Sequence, residues 1–171
     1  RDGWKIALHN YRQNPHHQAV DTVILCHGLG SNRYNMDAMG DLSLARYLHR
    51  HGWDVWVLEL RGAGHASKPR PWNALRFNWN LDDYVYHDVP AAIRFVREKT
   101  KRSQIHWVGH SMGGMLAYAF LCTHGNQWAK SLVTVASPSM KTTRNPLLDK
   151  VMPLKGILQV IKRFPEGSAA K

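Results

Sequence analysis

The chain has 171 residues, about one domain's worth, and its 44% apolar and 20% charged residues make it too apolar for a disordered segment. No run approaches the roughly 18 apolar residues of a membrane-spanning helix. No charged start with an apolar stretch and small-residue cleavage site marks a signal peptide. A cytoplasmic protein is therefore favoured, although a chain beginning with Arg1 rather than Met leaves its native start open. The net charge of +11 invites a nucleic-acid or anionic-membrane partner. Lys and Arg are scattered, however, so the expectation is a bland basic surface and no nucleic acid.

In chain order, Trp4 to Tyr11 reads as a strand, with Ile6 and Leu8 alternating with Lys5 and Ala7. Thr22 to Cys26 is a short continuous apolar run, as in a strand covered on both faces. Leu42 to Arg50 carries Leu44, Ala45 and Leu48 at helical spacing, with Gly52 as a stop. Asp54 to Leu60 is a second buried strand, and 61–80, with Gly62, Gly64, Pro69 and Pro71, is a loop. Asp88 then reads as an N-cap with Pro90 in the first turn, because Val89, Ala92, Ile93 and Val96 follow at i, i+3, i+4 and i+7. Ile105 to Val108 is a strand, Met112 to His124 a helix, and Leu132 to Val135 a further strand.

This alternation predicts an α/β fold, a mostly parallel sheet with helices on both faces. From Pro138 it stops. Two short amphipathic pieces follow (Leu147, Leu148, Val151, then Leu154, Ile157, Leu158, Ile161), broken by Pro146, Pro153 and Pro165. The domain division is a core over 1–137 and a lid or cap segment with a frayed tail over 138–171. Cys26 and Cys122 both read as buried small apolar residues, without disulfide or zinc partners.

Gly109-His110-Ser111-Met112-Gly113-Gly114 matches G-x-S-x-G between a predicted strand and a predicted helix, the setting of a nucleophile elbow. The turn is tight, so Gly109 and Gly113 leave out side chains that would collide. It lifts the Ser111 hydroxyl clear of the sheet at a helix N-terminus, where developing negative charge is favoured. His27-Gly28-Leu29-Gly30 follows the strand Thr22 to Cys26, in position to supply a backbone donor for an oxyanion. Leu29 is the first choice for that donor and Gly28 the second, with Met112 N–H as the other donor. His27 reads as the residue that orients the loop.

These two motifs, together with Leu60-Arg61-Gly62-Ala63-Gly64-His65-Ala66-Ser67 and Asn80-Leu81-Asp82-Asp83-Tyr84, resemble the α/β-hydrolase family in its lipase and esterase branch. The resemblance covers about residues 3–137. It implies a serine hydrolase of carboxylic esters working through an acyl-enzyme at Ser111. It further implies a lid or cap beginning after the sixth strand of that fold, a small-molecule or lipid ester as substrate, transient membrane-surface contact, and no cofactor or metal.

A serine needs a base. The family order is Ser, then Asp or Glu, then His. After Ser111 only His124, Asp149 and Glu166 follow. His124 lies 13 residues on in the same helix, about 20 Å away at about 1.5 Å per residue, against a hydrogen-bond reach of about 3 Å. Asp149 is a candidate acid, and His65 a base only out of family order. His110 is beside the serine but points away. Trp72, Phe77 and Trp79 either line a substrate pocket or anchor the loop. The expectation is an incomplete, inactive chain whose acid and base lie further on; the alternative is a non-catalytic hydrolase relative that binds a ligand or partner. A dinucleotide fold is disfavoured, because Arg33 and Ser67 stand where third glycines belong.

Overall fold

A computed structural model describes residues 2–11 and 19–139. Among these residues five strands form one sheet in the order β1-β3-β2-β4-β5: β1 (Ala7–Tyr11), β2 (Thr22–Cys26), β3 (Asp54–Glu59), β4 (Ile105–His110) and β5 (Ala129–Val135). β1 pairs antiparallel with β3, and every other pairing is parallel. The helices are α1 (Leu44–Arg50), α2 (Leu81–Asp83), α3 (Val89–Thr100) and α4 (Met112–His124). No described helix is long and apolar enough to cross a membrane. The lid or cap expected over 138–171, with its amphipathic pieces, Asp149 and Glu166, lies outside the described residues apart from 138 and 139.

Side chains alternate faces along a strand, and that rule splits the core in two. Ile24, Cys26, Trp56 and Leu58 meet Val89, Ala92, Ile93 and Val96 of α3 and Leu116, Ala117 and Phe120 of α4. Val23, Leu25, Val55 and Val57 meet Ala45 and Leu48 of α1 on the other face. This is the mostly parallel sheet, helix-covered on both faces, that the apolar runs predict. With both faces covered, β2 is buried along its whole length. It lies at the centre of the sheet, so the loops after β2 and β4 emerge side by side.

Three local expectations need correction. The first strand starts at Ala7, not Trp4: the Lys5 amide bonds Ser67 Oγ and its carbonyl takes the Ser67 amide, so these groups are not free for a ladder. Trp4 packs edge-on to Trp79 instead. Asp88 is not an N-cap. The helix begins at Leu81, where Asn80 and Asp83 form a reciprocal capping box. It then widens into a π turn over Tyr84–Asp88, just before Pro90. That turn relieves an α-helix of a proline that lacks an N–H and crowds the preceding turn. Asp88 is thus inside a continuous helix, buried. Third, Cys122 is exposed on α4, while Cys26 is buried as expected.

Candidate active site

β4 runs into the turn at Ser111, whose backbone sits at φ 51 and ψ −116. A positive φ on a residue with a side chain is strained, and three contacts hold it. The Ser111 amide donates to Val135 O at 2.8 Å, and its carbonyl accepts the Gly114 and Met115 amides at 3.1 Å each. α4 therefore starts at once. The glycines have measurable reasons. A Cβ on Gly109 would lie 2.4 Å from Gly114 N, one on Gly113 2.4 Å from Cys26 O, and one on Gly114 2.2 Å from Ser137 Oγ. The first turn of α4 is pressed against both the end of β4 and the end of β2. Ser111 is half-buried, and its Oγ bonds no described residue.

The loop after β2 backs onto this turn: a Cβ on Gly28 would lie 3.1 Å from His110 Nδ1 and 3.3 Å from Ser111 Cβ. The buried His27 ring is held at both nitrogens. Leu60 N–H donates to Nε2 at 3.3 Å, so Nδ1 carries the proton and donates to Gly28 O at 2.7 Å. Gly28 O also accepts the Ser31 amide at 3.3 Å. In a trans peptide the carbonyl and the next N–H point opposite ways. With Gly28 O turned toward His27 and Ser31, the Leu29 N–H faces the other way, and it donates to no described residue. The Leu29 side chain is 72% exposed. The Gly28 N–H, by contrast, is occupied, donating to Asn35 Oδ1 at 3.1 Å. Met112 N–H belongs to the first helical turn, whose amides have no partner within the helix.

Other candidates are placed elsewhere. His110 Nδ1 bonds Asn35 Oδ1 at 3.0 Å. His124 ends α4, stacked on Phe120 and bonded to Thr123 Oγ1. His65 is engaged with Glu59. Trp72 and Phe77 are exposed, while Trp79 donates to Tyr84 OH at 2.6 Å and lines a cleft of about 280 Å³ with Trp4, Arg61 and Leu75.

Composition and local spacing missed Asn35 and Glu59. Glu59 ends β3, buried, and accepts the Arg33 amide at 3.1 Å, the His65 amide at 2.8 Å and His9 Nε2 at 2.8 Å. Burial alone pushes this carboxyl up; the His65 amide, the His9 ring and the Arg33 amide together overcome it and hold it at about 2, against an ordinary 4.5. Because the folded value is the lower one, the stabilisation is complete above about pH 4.5 and is lost as pH falls toward about 2. At about 1.4 kcal/mol per pH unit that is roughly 3 kcal/mol. Denaturant titrations in this range should show that acid limb, and Glu59→Gln should flatten it. An unchanged limb in the variant would contradict the assignment.

Among the described residues, two groups bring three potential metal ligands within 4.8 Å: His9, Glu59 and His65, and Asp2, Asp83 and His87. Each already has a guanidinium beside it. Arg33 lies 3.3 Å from His9 Nδ1, and Arg61 lies 2.6 Å from Asp2 and 3.6 Å from Asp83. A second cation there would be repelled, and neither group suits a metal.

The chain matches the family model described as alpha/beta hydrolase fold over residues 21–166. It is 32% identical over 134 residues to gastric triacylglycerol lipase of Rattus norvegicus, covering 73% of this chain and 33% of that protein. It is 31% identical over 131 residues to a tear acid lipase-like protein of Mesocricetus auratus, covering 72% of this chain and 33% of that protein. It thus spans about a third of the length of these relatives. Among solved structures it resembles a thermophilic esterase from Thermogutta terrifontis, with TM-score 0.66 and 18% identity over 96% of this chain and 50% of the other. On these matches, the chain belongs to the alpha/beta hydrolase family, in its lipase and esterase branch.

Proposed function

We infer that this chain carries the nucleophile and oxyanion half of a serine hydrolase of carboxylic esters. The observation that carries the reading is the strained Ser111 turn backed by a glycine loop whose Leu29 amide is turned outward and unbonded to any described residue. Ser111 Oγ attacks the ester carbonyl as a base takes its proton. The Leu29 and Met112 amides stabilise the tetrahedral oxyanion. Collapse expels the alcohol, which takes up that proton, and leaves an acyl-enzyme that water then hydrolyses.

The base and acid come from residues outside 1–171, in keeping with relatives more than twice as long. The substrate is a small-molecule or lipid ester. Leu29, Tyr34, Met39 and Leu42 are each exposed, apolar side chains that suit an acyl chain or transient contact with a lipid surface. Residues 138–171 serve as the beginning of a lid or cap.

Turnover of p-nitrophenyl esters by the full-length protein tests this reading. Ser111→Ala should lower kcat at least about 10⁴-fold, as loss of a nucleophile does, with the melting temperature retained. Residues 1–171 alone should show little or no turnover. Full-length Ser111→Ala with near-normal activity would overturn the reading.

A further inference from the structure

We propose that Asn35 is a positioning residue that locks the oxyanion loop to the nucleophile elbow. The inference rests on reading Ser111 and the Leu29 amide as the reacting centre. Asn35 Oδ1 takes two donors from different parts of the chain: Gly28 N–H at 3.1 Å and His110 Nδ1–H at 3.0 Å. The Gly28 amide identifies the acceptor as the carboxamide oxygen, and this in turn places the proton on His110 Nδ1. One side chain therefore bridges the residue before the Leu29 donor and the residue before Ser111.

The bridge is anchored. Asn35 closes a 3₁₀ turn, Arg33–Asn35, capped by Asn32 Oδ1 on the Tyr34 amide at 3.0 Å. The first amide of that turn, Arg33 N–H, is held by the buried Glu59 at the end of β3. Asn35 is thereby referenced to the rigid sheet, not to a free loop.

The consequence is for two adjoining peptide planes that meet at Gly28. Gly28 has no side chain to limit rotation; Asn35 holds the His27–Gly28 plane through the Gly28 amide, and His27 and Ser31 hold the Gly28–Leu29 plane through the Gly28 carbonyl. Loosening the Asn35 end frees the first plane and lets the second tilt about Gly28. A flip would set a carbonyl dipole where the Leu29 N–H belongs and repel a developing oxyanion. Asn35 touches no reacting atom; it acts by keeping the Leu29 donor aimed, which matters more in the transition state than in substrate binding.

The test uses the full-length protein, with kcat, KM, melting temperature and fluorophosphonate labelling of Ser111 measured together. Asn35→Ala should lower kcat about 10- to 100-fold with KM within about twofold, below the full loss of an oxyanion donor. Asn35→Asp, which keeps an acceptor for both donors, should stand at least about fivefold above the alanine variant. If Asn35→Ala does not fold, Asn35→Ser takes its place: a hydroxyl too short to reach both donors should show the same fall in kcat. An unchanged kcat in a folded Ala or Ser variant, or an aspartate variant no better than it, overturns the proposal. Wild-type protein that neither labels at Ser111 nor turns over esters would instead overturn the functional reading beneath it.

Discussion

Arg61→Ala is expected to destabilise the fold by about 3–5 kcal/mol, the usual cost of stranding one member of a buried ion pair. Arg61 and Asp88 are each only 2% exposed. The guanidinium binds Asp88 Oδ1 through Nε at 2.9 Å and Nη2 at 2.7 Å, while the Arg61 amide donates to Asp88 Oδ2 at 2.9 Å. Nη2 also reaches Asp2 at 2.6 Å, and the group lies over the Trp4 ring. The pair ties the loop that leaves β3 to the π turn ahead of α3. Arg61→Lys should recover little, because an ammonium does not reproduce the planar fork. Replacing both members with apolar residues of similar volume should recover much of the loss. Urea unfolding of the three variants measures this. A loss under about 1 kcal/mol for Arg61→Ala would show that the pair behaves as a surface one.

Gly113→Ala is expected to be among the damaging single-methyl additions in the described residues. Its Cβ would sit 2.4 Å from Cys26 O and 2.8 Å from His27 O. Both are backbone atoms at the end of a fully buried central strand, so neither can swing aside. Relief requires α4 to lift from β2, which separates the Ser111 turn from the glycine loop. Overpacking in a core costs typically about 1–3 kcal/mol, and a backbone-to-backbone clash belongs at or above the top of that range. Gly30→Ala is the contrast. Gly30 has φ +68 with nothing within 4 Å of a Cβ, so it should cost only the left-handed backbone preference, about 1–2 kcal/mol. Thermal unfolding compares the two; equal losses would mean that close packing of helix on strand is not what selects glycine at 113.

What was legible in the sequence was local. The apolar runs of β2 and β3 announce strands covered on both faces, and the glycine spacing around Ser111 announces the tight turn, because both follow from neighbours within a few residues. Asp88 shows where this fails. An aspartate ahead of an apolar-periodic run reads as a cap, and nothing nearby distinguishes it from a carboxylate paired with Arg61, 27 residues away. Asn80 and Asp83 carried the true start signal, a capping box eight residues earlier than the run at Val89 suggests. Asn35 lies 75 residues from His110. A lone asparagine in a loop has no periodicity or motif to mark it, and its role emerges only when the β2 and β4 loops are side by side. Gly28, the second choice as oxyanion donor, was open to question for the same reason: its amide is consumed by that asparagine.

The central claim is geometric, that the Ser111 oxygen and the Leu29 and Met112 amides converge on one carbonyl group, the serine on its carbon and the amides on its oxygen. A crystal structure of the full-length protein after reaction with a fluorophosphonate tests it most directly. The account predicts phosphorus bonded to Ser111 Oγ, with the phosphoryl oxygen about 2.7–3.1 Å from both Leu29 N and Met112 N. Phosphorus on another residue, or an adduct at Ser111 whose oxygen points away from both amides, would contradict it.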